Sequence, residues 1–301
     1  MRYLFTYHLY WFFIGLILIE FIFIRRSRNY HYSWKESLAS LGVAIGHSVT
    51  SAIFKSVHAG ILFWVWNHRL FTLPLNTGWN FLLLFVSIEF CYYWYHRATH
   101  RVRWLWATHA VHHSAEHLNL SAAYRLGWTG WLSGNILFFI PLIWLGFHPL
   151  SVLTGLSLNL LYQFWIHTEL IPKLGPLEWF LNTPSHHRVH HASNQEYIDR
   201  NYGGVLIVFD RWFGTFAEEQ SHNPPVYGLT QPIRSYNPVV IALSEWSRLF
   251  NDLRTARTWE QRFKVAFYPP DWRPGQSCPD PYLHRAACGS TKCTHPVEGR
   301  S

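Results

Sequence analysis

The histidines of this sequence have a spacing that could do chemistry. An HxxxH pair, His96–His100, is followed by two HxxHH boxes, His109–His113 and His187–His191. Residues three and four positions apart share one face of a helix, so each box would present its imidazoles together. Imidazole is a good ligand for iron, copper, nickel and zinc. The boxes contain no thiolate, which argues against a structural zinc finger. We therefore predict a metal site assembled from the three boxes.

The boxes supply more imidazoles than one ion of ordinary coordination needs, so we predict two ions. His167, at the end of an apolar run, is a ninth candidate ligand, and His186 is predicted to support the third box or to cap its helix. His117, four residues after the second box, is predicted to be exposed. The predicted ligands are His96, His100, His109, His112, His113, His167, His187, His190 and His191.

Two polar side chains inside apolar runs are also candidates for catalytic support. Glu89 lies seven residues before His96, on the same helix face. A carboxylate at membrane depth is costly, so Glu89 either accepts a hydrogen bond from a ligand histidine or makes a structural bond to a neighbouring helix. Gln163 lies four residues before His167 and is predicted to hold a metal-bound water or a ligand histidine. The predicted supporting residues are thus Glu89, Gln163 and His186.

The composition favours a membrane protein. Charged residues make up 14% of the 301-residue chain, whereas soluble domains carry about 25%. The net charge of +8 could suggest nucleic-acid binding. The basic residues flank apolar runs, however, where lipid and topology explain them better. We therefore expect no nucleic-acid partner.

Five apolar runs could span a bilayer. The second is interrupted by glycines and Lys55, so it is either one span or a broken pair, and the last two form a predicted hairpin. The runs are 7–24, 37–66, 79–95, 131–147 and 150–166. We predict an all-α polytopic membrane bundle of about four to five spanning helices with a histidine-rich helical catalytic cap.

Arginines indicate the orientation of the runs. Arg25 and Arg26 follow the first run, and Arg97 and Arg101 follow the third. Positive residues favour the cytoplasmic side, which places all three boxes, and hence the catalytic cap, there. The predicted divisions are an N-terminal membrane region (1–70), the metal-binding domain (71–220) and a cytoplasmic C-terminal region (221–301). Three cysteines of that last region, Cys278, Cys288 and Cys293, lie in a tail predicted to be disordered, with a zinc site as the weaker interpretation.

The order of the boxes resembles the fatty acid hydroxylase superfamily, also called the sterol desaturase family, over about residues 81–219. That resemblance implies an integral membrane enzyme with two iron ions. Within it, LGPLEWFLNTPSHHRVHH (174–191) and DRNYGGVLIVFDRWFGTF (199–216) resemble the alkylglycerol monooxygenase family. This closer resemblance implies oxidation of the ether-linked carbon of an alkylglycerol, with tetrahydrobiopterin as reductant.

The expected function is therefore that of a multi-pass membrane non-haem di-iron monooxygenase, which hydroxylates a lipid C–H bond with O₂. Its site would face the cytoplasm, from the endoplasmic reticulum in a eukaryote or the inner membrane in a bacterium. Hydroxylation or desaturation of a sterol, carotenoid or fatty acid is the alternative within the superfamily. A membrane metal-binding or transport protein is the alternative of another class. No haem-binding HPGG loop, dinucleotide fingerprint or CxxC motif is present, so we expect an external reductant, a pterin or a redox partner protein.

Residues 199–202 follow the third box closely. They could hydrogen-bond the ligands, bind a lipid head group or fix the turn before Gly203 and Gly204. For Tyr202 the sequence favours the turn.

Overall fold

The computed structural model describes residues 2–27 and 32–273, and this part of the chain is all-helical, with no strand. The tail cysteines lie outside the described residues. Three short 3-10 segments accompany the α-helices, at Ala122–Tyr124, Asn135–Phe138 and Gly175–Trp179. The α-helices are α1 (Arg2–Arg26), α2 (Trp34–Asn67), α3 (Gly78–Arg101), α4 (Arg103–His113), α5 (Gly130–Ser133), α6 (Ile140–Leu145), α7 (Pro149–Trp165), α8 (Pro184–His191), α9 (Val208–Trp212), α10 (Pro238–Thr255) and α11 (Trp259–Phe267).

The second apolar run forms one continuous helix, α2, rather than a broken pair. Its 34 residues begin after Ser33, whose side chain accepts a hydrogen bond from the Glu36 backbone N–H and so caps the first turn. Within the described residues, α2 is the one helix whose length and apolar composition would let it cross a membrane. Helix α3 continues beyond the predicted run and carries His96 and His100 in its last two turns.

The predicted hairpin is wrong in its first arm. The run 131–147 is divided into α5, a 3-10 segment and α6, because Gly134 adopts a left-handed φ of 74° and Pro141 lies at the start of α6. Glycine tolerates this φ without steric cost, and proline favours a new helix start. The second arm, α7, is a regular helix of 17 residues.

The main apolar core joins α2, α3, α6 and α7. Leu62, Ile88, Ile143 and Val152 are buried in it, one from each of these helices. The outer faces of α2 and α3 leave large apolar side chains exposed, such as Ile53. The core therefore holds the apolar helices to one another and leaves their other faces free to meet an apolar environment.

Three buried carboxylates connect these apolar helices to the histidine-bearing part of the chain. Each lies on a different helix and accepts a hydrogen bond from a backbone N–H of a connecting loop. A buried carboxylate is costly unless it is bonded in this way, so each bond fixes the loop against its helix. The pairs are Glu20 with Leu120 (2.7 Å), Glu36 with Glu116 (3.0 Å) and Glu89 with Val205 (2.8 Å).

Candidate metal centre

Three helix ends position the histidine boxes. The chain breaks at Val102, which has extended φ and ψ, and α4 then packs back against α3. Helix α8 has only eight residues. It starts with Thr183, whose hydroxyl accepts from the His186 backbone N–H, and with Pro184 in its first turn. The boxes thus lie on helices, as the spacing predicts, and are held in place by turns at both ends.

The nine predicted ligand histidines come together in two groups. In each group, one potential ligand atom per residue lies within 4.8 Å of all the others. Helices α4 and α8 contribute to both groups, because adjacent residues on a helix point about 100° apart. Group one is His96, His100, His109, His113 and His190, and group two is His112, His167, His187 and His191.

Ring nitrogens in group two converge at the separation that metal ligands have. The Nε2 atom of His167 lies 3.2 Å from that of His112 and 3.0 Å from that of His187. The Nε2 atoms of His187 and His191 are 3.1 Å apart. With metal–nitrogen bonds of about 2.0–2.1 Å, two ligands at right angles lie roughly 3 Å apart. Group two therefore fits an ion bound by imidazoles.

Group one has the same convergence and two further nitrogens without partners. The Nε2 atom of His109 lies 3.0 Å from that of His96 and 3.2 Å from that of His113. The Nε2 atoms of His100 and His190 are buried and have no hydrogen-bond partner in the described part of the chain. Buried polar atoms nearly always have a partner, and an ion between these nitrogens would satisfy them together.

Backbone carbonyls orient several of the rings. The Nδ1 atom of His96 donates to the Tyr202 carbonyl (2.8 Å), and that of His190 donates to the Arg200 carbonyl (2.8 Å). The Nδ1 atom of His167 donates to the carbonyl of Gln163 (2.7 Å). A carbonyl only accepts, so each Nδ1 carries the proton and each Nε2 lone pair faces its group.

Burial holds seven of the rings, all outside the apolar helices, in the neutral form that binds metal. Burial lowers the pKa of His167 to about 4, from an ordinary value of 6.5. For six others burial is again the main cause and the positive charge of neighbouring histidines adds to it, so that the pKa lies well below 6.5. These six are His109, His112, His113, His187, His190 and His191.

The loop 199–202 supports group one, and its main role comes from backbone atoms that the sequence does not reveal. Asp199 and Asn201 adopt left-handed φ values of 61° and 57°, which Asp and Asn tolerate better than most residues. The loop conformation aims the carbonyls of Arg200 and Tyr202 at histidines. Tyr202 therefore does more than fix a turn. The carboxylate of Asp199 lies 3.7 Å from the Nδ1 atom of His100.

Asp210 holds this loop in place and is a supporting residue that sequence reasoning missed. Its fully buried carboxylate accepts hydrogen bonds from the backbone N–H groups of Tyr202 and Gly203 and from the hydroxyl of Thr215, each at 2.7 Å. Burial raises the pKa of Asp210 to about 6. The FDRW segment around it gives no sign of this role, since two of its three partners are backbone N–H groups.

Glu89 makes the structural bond of its two predicted alternatives. Its carboxylate accepts from the Asn159 side chain (2.6 Å) and from the backbone N–H groups of Val205 (2.8 Å) and Leu206 (2.9 Å). His96, the expected partner, instead donates to a carbonyl. The prediction that Glu89 accepts a hydrogen bond from a ligand histidine is therefore wrong. Glu89 instead acts on the site through the loop that contains Val205 and Leu206.

Gln163 supports a ligand, but with its backbone. Its side-chain amide donates to Asn159 (2.6 Å), and its side-chain oxygen accepts from the Tyr92 hydroxyl (2.9 Å). Only its main-chain carbonyl meets His167. The predicted side-chain contact with a ligand histidine is thus wrong. With Glu89, these residues form a continuous buried network, Tyr92–Gln163–Asn159–Glu89.

Two further histidines lie outside both groups. The ring of His186 lies against Phe216, with Nε2 3.8 Å from Glu178, and its backbone N–H donates to the hydroxyl of Thr183, which is the residue that caps α8. The prediction that His186 caps this helix is therefore wrong, and its ring lies away from the ligands. His117, predicted to be exposed, is half-buried and pairs with Glu36 at 2.7 Å.

A cavity of about 510 Å³ reaches the histidines from one side. It touches His100, His113 and His190 of group one and His191 of group two. Trp106 forms part of its wall, and charged side chains of both signs form much of the rest. Those charged residues are Arg101, Arg103, Glu196, Asp199, Arg200, Glu245, Arg248, Asp271 and Arg273.

The sequence of this chain is similar to those of several known proteins. The chain is 39% identical to alkylglycerol monooxygenase of Homo sapiens over 280 residues, covering 88% of this chain and 59% of the human protein. The protein of the same name from Danio rerio is 39% identical over 267 residues, with the same coverage. Ornithine lipid hydroxylase OlsE of Rhizobium tropici is 34% identical over 141 residues, or 46% of this chain and 41% of that protein.

The chain thus spans about three-fifths of the length of the curated alkylglycerol monooxygenases that it matches. No solved structure matches it. The fatty acid hydroxylase family model matches residues 81–215, a span that contains both histidine groups. Residues 81–215 therefore form a fatty acid hydroxylase domain.

Proposed function

We propose that this chain is a membrane-embedded lipid monooxygenase that uses O₂ and holds one iron ion in each histidine group. The observation that carries the proposal is the pair of groups, in which ring nitrogens of nine buried or half-buried histidines converge. The extended similarity to alkylglycerol monooxygenases supports the choice of reaction. Imidazole ligands alone would also suit other metals, so the choice of iron rests on the family.

Bound iron would supply the redox chemistry that lets O₂ react with an unactivated C–H bond. The chain's own contribution is to hold and shield that chemistry. Backbone carbonyls accept from the Nδ1 atoms of His167, His190 and His96. These bonds keep the Nε2 lone pairs of the three rings directed into their groups. Burial keeps the rings neutral, so protons do not compete for those lone pairs. It also limits the access of water to the reacting atoms.

We propose an alkylglycerol as substrate, oxidised at the carbon beside the ether oxygen. The similarity to alkylglycerol monooxygenases supports this substrate. Hydroxylation there gives a hemiacetal, which collapses to an aldehyde and a glycerol. The reaction consumes two electrons, for which we propose an external donor, a reduced pterin such as tetrahydrobiopterin or else a redox partner protein. The charged cavity that reaches both groups gives a polar donor a route to them.

We also propose that the chain crosses the membrane several times and that its histidine groups face the cytoplasm. Arg97 and Arg101 near the end of α3, and Arg25 and Arg26 at the end of α1, support this orientation under the positive-inside rule. The groups lie where α3, α4, α7 and α8 end, which suits a lipid whose chain remains among apolar helices. A transporter would instead hold its ligands at mid-span on broken helices.

The similarity to an ornithine lipid hydroxylase favours a second candidate substrate, an amino-acid-headed lipid. That similarity covers less than half of the chain, whereas the similarity to alkylglycerol monooxygenases covers 88%. The alkylglycerol therefore comes first. A fatty acid as substrate is supported by the name of the family model alone, and a sterol or carotenoid has no comparable support.

The test uses the full chain purified in lipid nanodiscs under conditions that retain metal. Iron content is measured first, and about two ions per chain are expected from the two groups. Aldehyde release is then measured with a 1-O-alkylglycerol, O₂ and tetrahydrobiopterin. The matched control is the acylglycerol of equal chain length, in which the ether is an ester. Iron well below two, or equal turnover of the ester, would contradict the proposal, and hydroxylation of ornithine lipid alone would favour the second candidate.

A further inference from the structure

Helices α10 and α11 follow the fatty acid hydroxylase domain, and each has one buried face and one exposed apolar face. Trp246 and Leu249 of α10 and Val265 of α11 pack with Ala107 of α4 in one core cluster. Because both helices pack toward α4, their other faces point away from the histidine groups. Neither the metal site nor the proposed reaction explains why those outer faces are apolar.

The exposed faces carry large side chains at helical spacing. On α10 they are Val240, Leu243 and Phe250, and on α11 they are Trp259, Phe263 and Phe267. Trp259 is 81% exposed and Phe263 is 59% exposed. Residues three or four apart share a helix face, so these side chains form a stripe on each helix. Exposed apolar surface of this kind marks an interaction site.

The charges beside the stripes favour an anionic partner. Arg254 in the last turn of α10 and Arg257 in the connection to α11 are exposed. The guanidinium of Arg262 lies 5.0 Å from the centre of the Trp259 ring. The acidic side chains Glu260 and Asp252 lie on the same helices, and both are paired, Glu260 with Lys264 and Asp252 with Arg103. Tryptophan and arginine beside an apolar stripe are typical of helices at a membrane surface.

The stripes also continue the surface of α2, the helix that can cross a membrane. Ile241 of α10 packs with Val43 of α2. The helices approach so closely that a Cβ atom on Gly42 would lie 2.4 Å from the Cγ atom of Pro238, which only glycine allows. Next to this contact, α2 exposes its own apolar residues, including Leu41. The start of α10 therefore lies against the first third of a membrane helix.

We propose that α10 and α11 lie flat on the membrane, with their apolar stripes inserted among the lipids and their arginines at anionic head groups. This inference rests on the proposed membrane embedding of the chain. On the opposite side of α10, Glu245 and Arg248 line the cavity that reaches the histidines. The anchor would therefore hold that cavity wall at head-group level. Each basic side chain at such a surface adds to the attraction to anionic lipid.

The test places single spin labels on the full chain, in a background with the native cysteines replaced, in nanodiscs containing phosphatidylglycerol. Labels replace Phe263 in the stripe (F263C) and Ile53 on the exposed face of α2 (I53C). The control label replaces Glu260, whose ion pair with Lys264 marks the polar edge of the stripe on the same helix (E260C). Accessibility to lipid-soluble O₂ and to a water-soluble nickel chelate is measured by power saturation. At positions 263 and 53 we expect O₂ to relax the label more than the chelate does. At position 260 we expect the reverse.

The outcomes separate this inference from the proposed function. If position 53 is in lipid while position 263 is as open to the chelate as position 260, the anchor is overturned and the membrane embedding stands. If position 53 is also in water, the embedding itself fails. Dipolar coupling between labels at position 263 on two chains would show that a second copy covers the stripe, which also overturns the inference. Replacing Arg254, Arg257 and Arg262 with glutamine should lower O₂ access at position 263 in anionic nanodiscs, and no change would overturn the role of the arginines.

Discussion

The two histidine groups differ in support and in access. Group one has five histidines, three of which border the cavity, and two of its rings donate to carbonyls of the loop 199–202. Group two has four, all buried, of which His191 alone lines the cavity. Its support comes from α7, through the Gln163 carbonyl. The difference indicates that group one is the open and adjustable half of the centre and group two the enclosed half.

The largest effect should come from removing a ligand, and the two groups should respond differently. His187→Ala leaves group two with three imidazoles and an open position, so this group should bind its ion more weakly and the iron content should fall below two per chain. His190→Ala leaves group one with four, enough to retain an ion in altered geometry. Both variants should lose at least about 100-fold in turnover, because the reaction needs both ions in place. Iron content and aldehyde release of the purified variants test this.

That comparison requires both variants to remain folded. Melting curves of the parent and the variants, recorded in the same detergent, check this. Equal loss of iron from the two variants would remove the proposed difference in ligand number between the groups. Undiminished turnover of either variant would remove that histidine from the ligand set.

The next effect concerns Glu89, which connects the supports of both groups. Glu89→Ala leaves the N–H groups of Val205 and Leu206 and the amide of Asn159 without their acceptor. Each unsatisfied buried group costs about 1–3 kcal/mol, so the variant should melt well below the parent. Iron should be lost from both groups together. Glu89→Gln keeps one acceptor oxygen, so its melting temperature should lie between those of the parent and of Glu89→Ala. Iron titration and melting curves measure this, and loss confined to one group would contradict a shared support.

A smaller and one-sided effect is expected at Asp199, which lies 3.7 Å from His100 and bonds Arg101 at 2.8 Å. Asp199→Asn removes the charge, and asparagine tolerates the left-handed φ of this position. Loss of a carboxylate behind a metal-binding histidine typically weakens metal affinity by about 10–100-fold. Chelator competition should therefore strip group one before group two. Uniform weakening of both ions would show that the loop does not act on group one alone.

Local spacing explains how much of this centre the sequence could predict. The helical positions of the boxes depend only on neighbours three and four residues away, so the eight box histidines could be placed on helices from the sequence. His167 lies just after α7, in no box, and could be named only from its position at the end of an apolar run. Their division into two groups depends on how α4 and α8 cross, which no short-range pattern encodes. The carbonyls of Gln163, Arg200 and Tyr202 could not be named as supports, because every residue has a carbonyl. The break at Gly134 was missed because the apolar composition of its run is unchanged.

The smallest effect is expected at His117, which lies just outside the two histidine groups and differs from them in its pKa. Burial lowers the pKa of grouped rings such as His112, whereas the hydrogen bond to Glu36 raises the pKa of His117, with Glu116 and Glu169 adding to the effect. A raised folded-state pKa stabilises the fold fully below the unfolded value near 6.5, and this stabilisation is lost as pH rises through the folded value. His117→Ala should therefore lower the melting temperature near pH 6, by an amount equivalent to about 1 kcal/mol. The difference in melting temperature between His117→Ala and the parent should shrink at about pH 9. The iron content of the variant should equal that of the parent. A pH-independent difference would mean that His117 stabilises by packing rather than by charge.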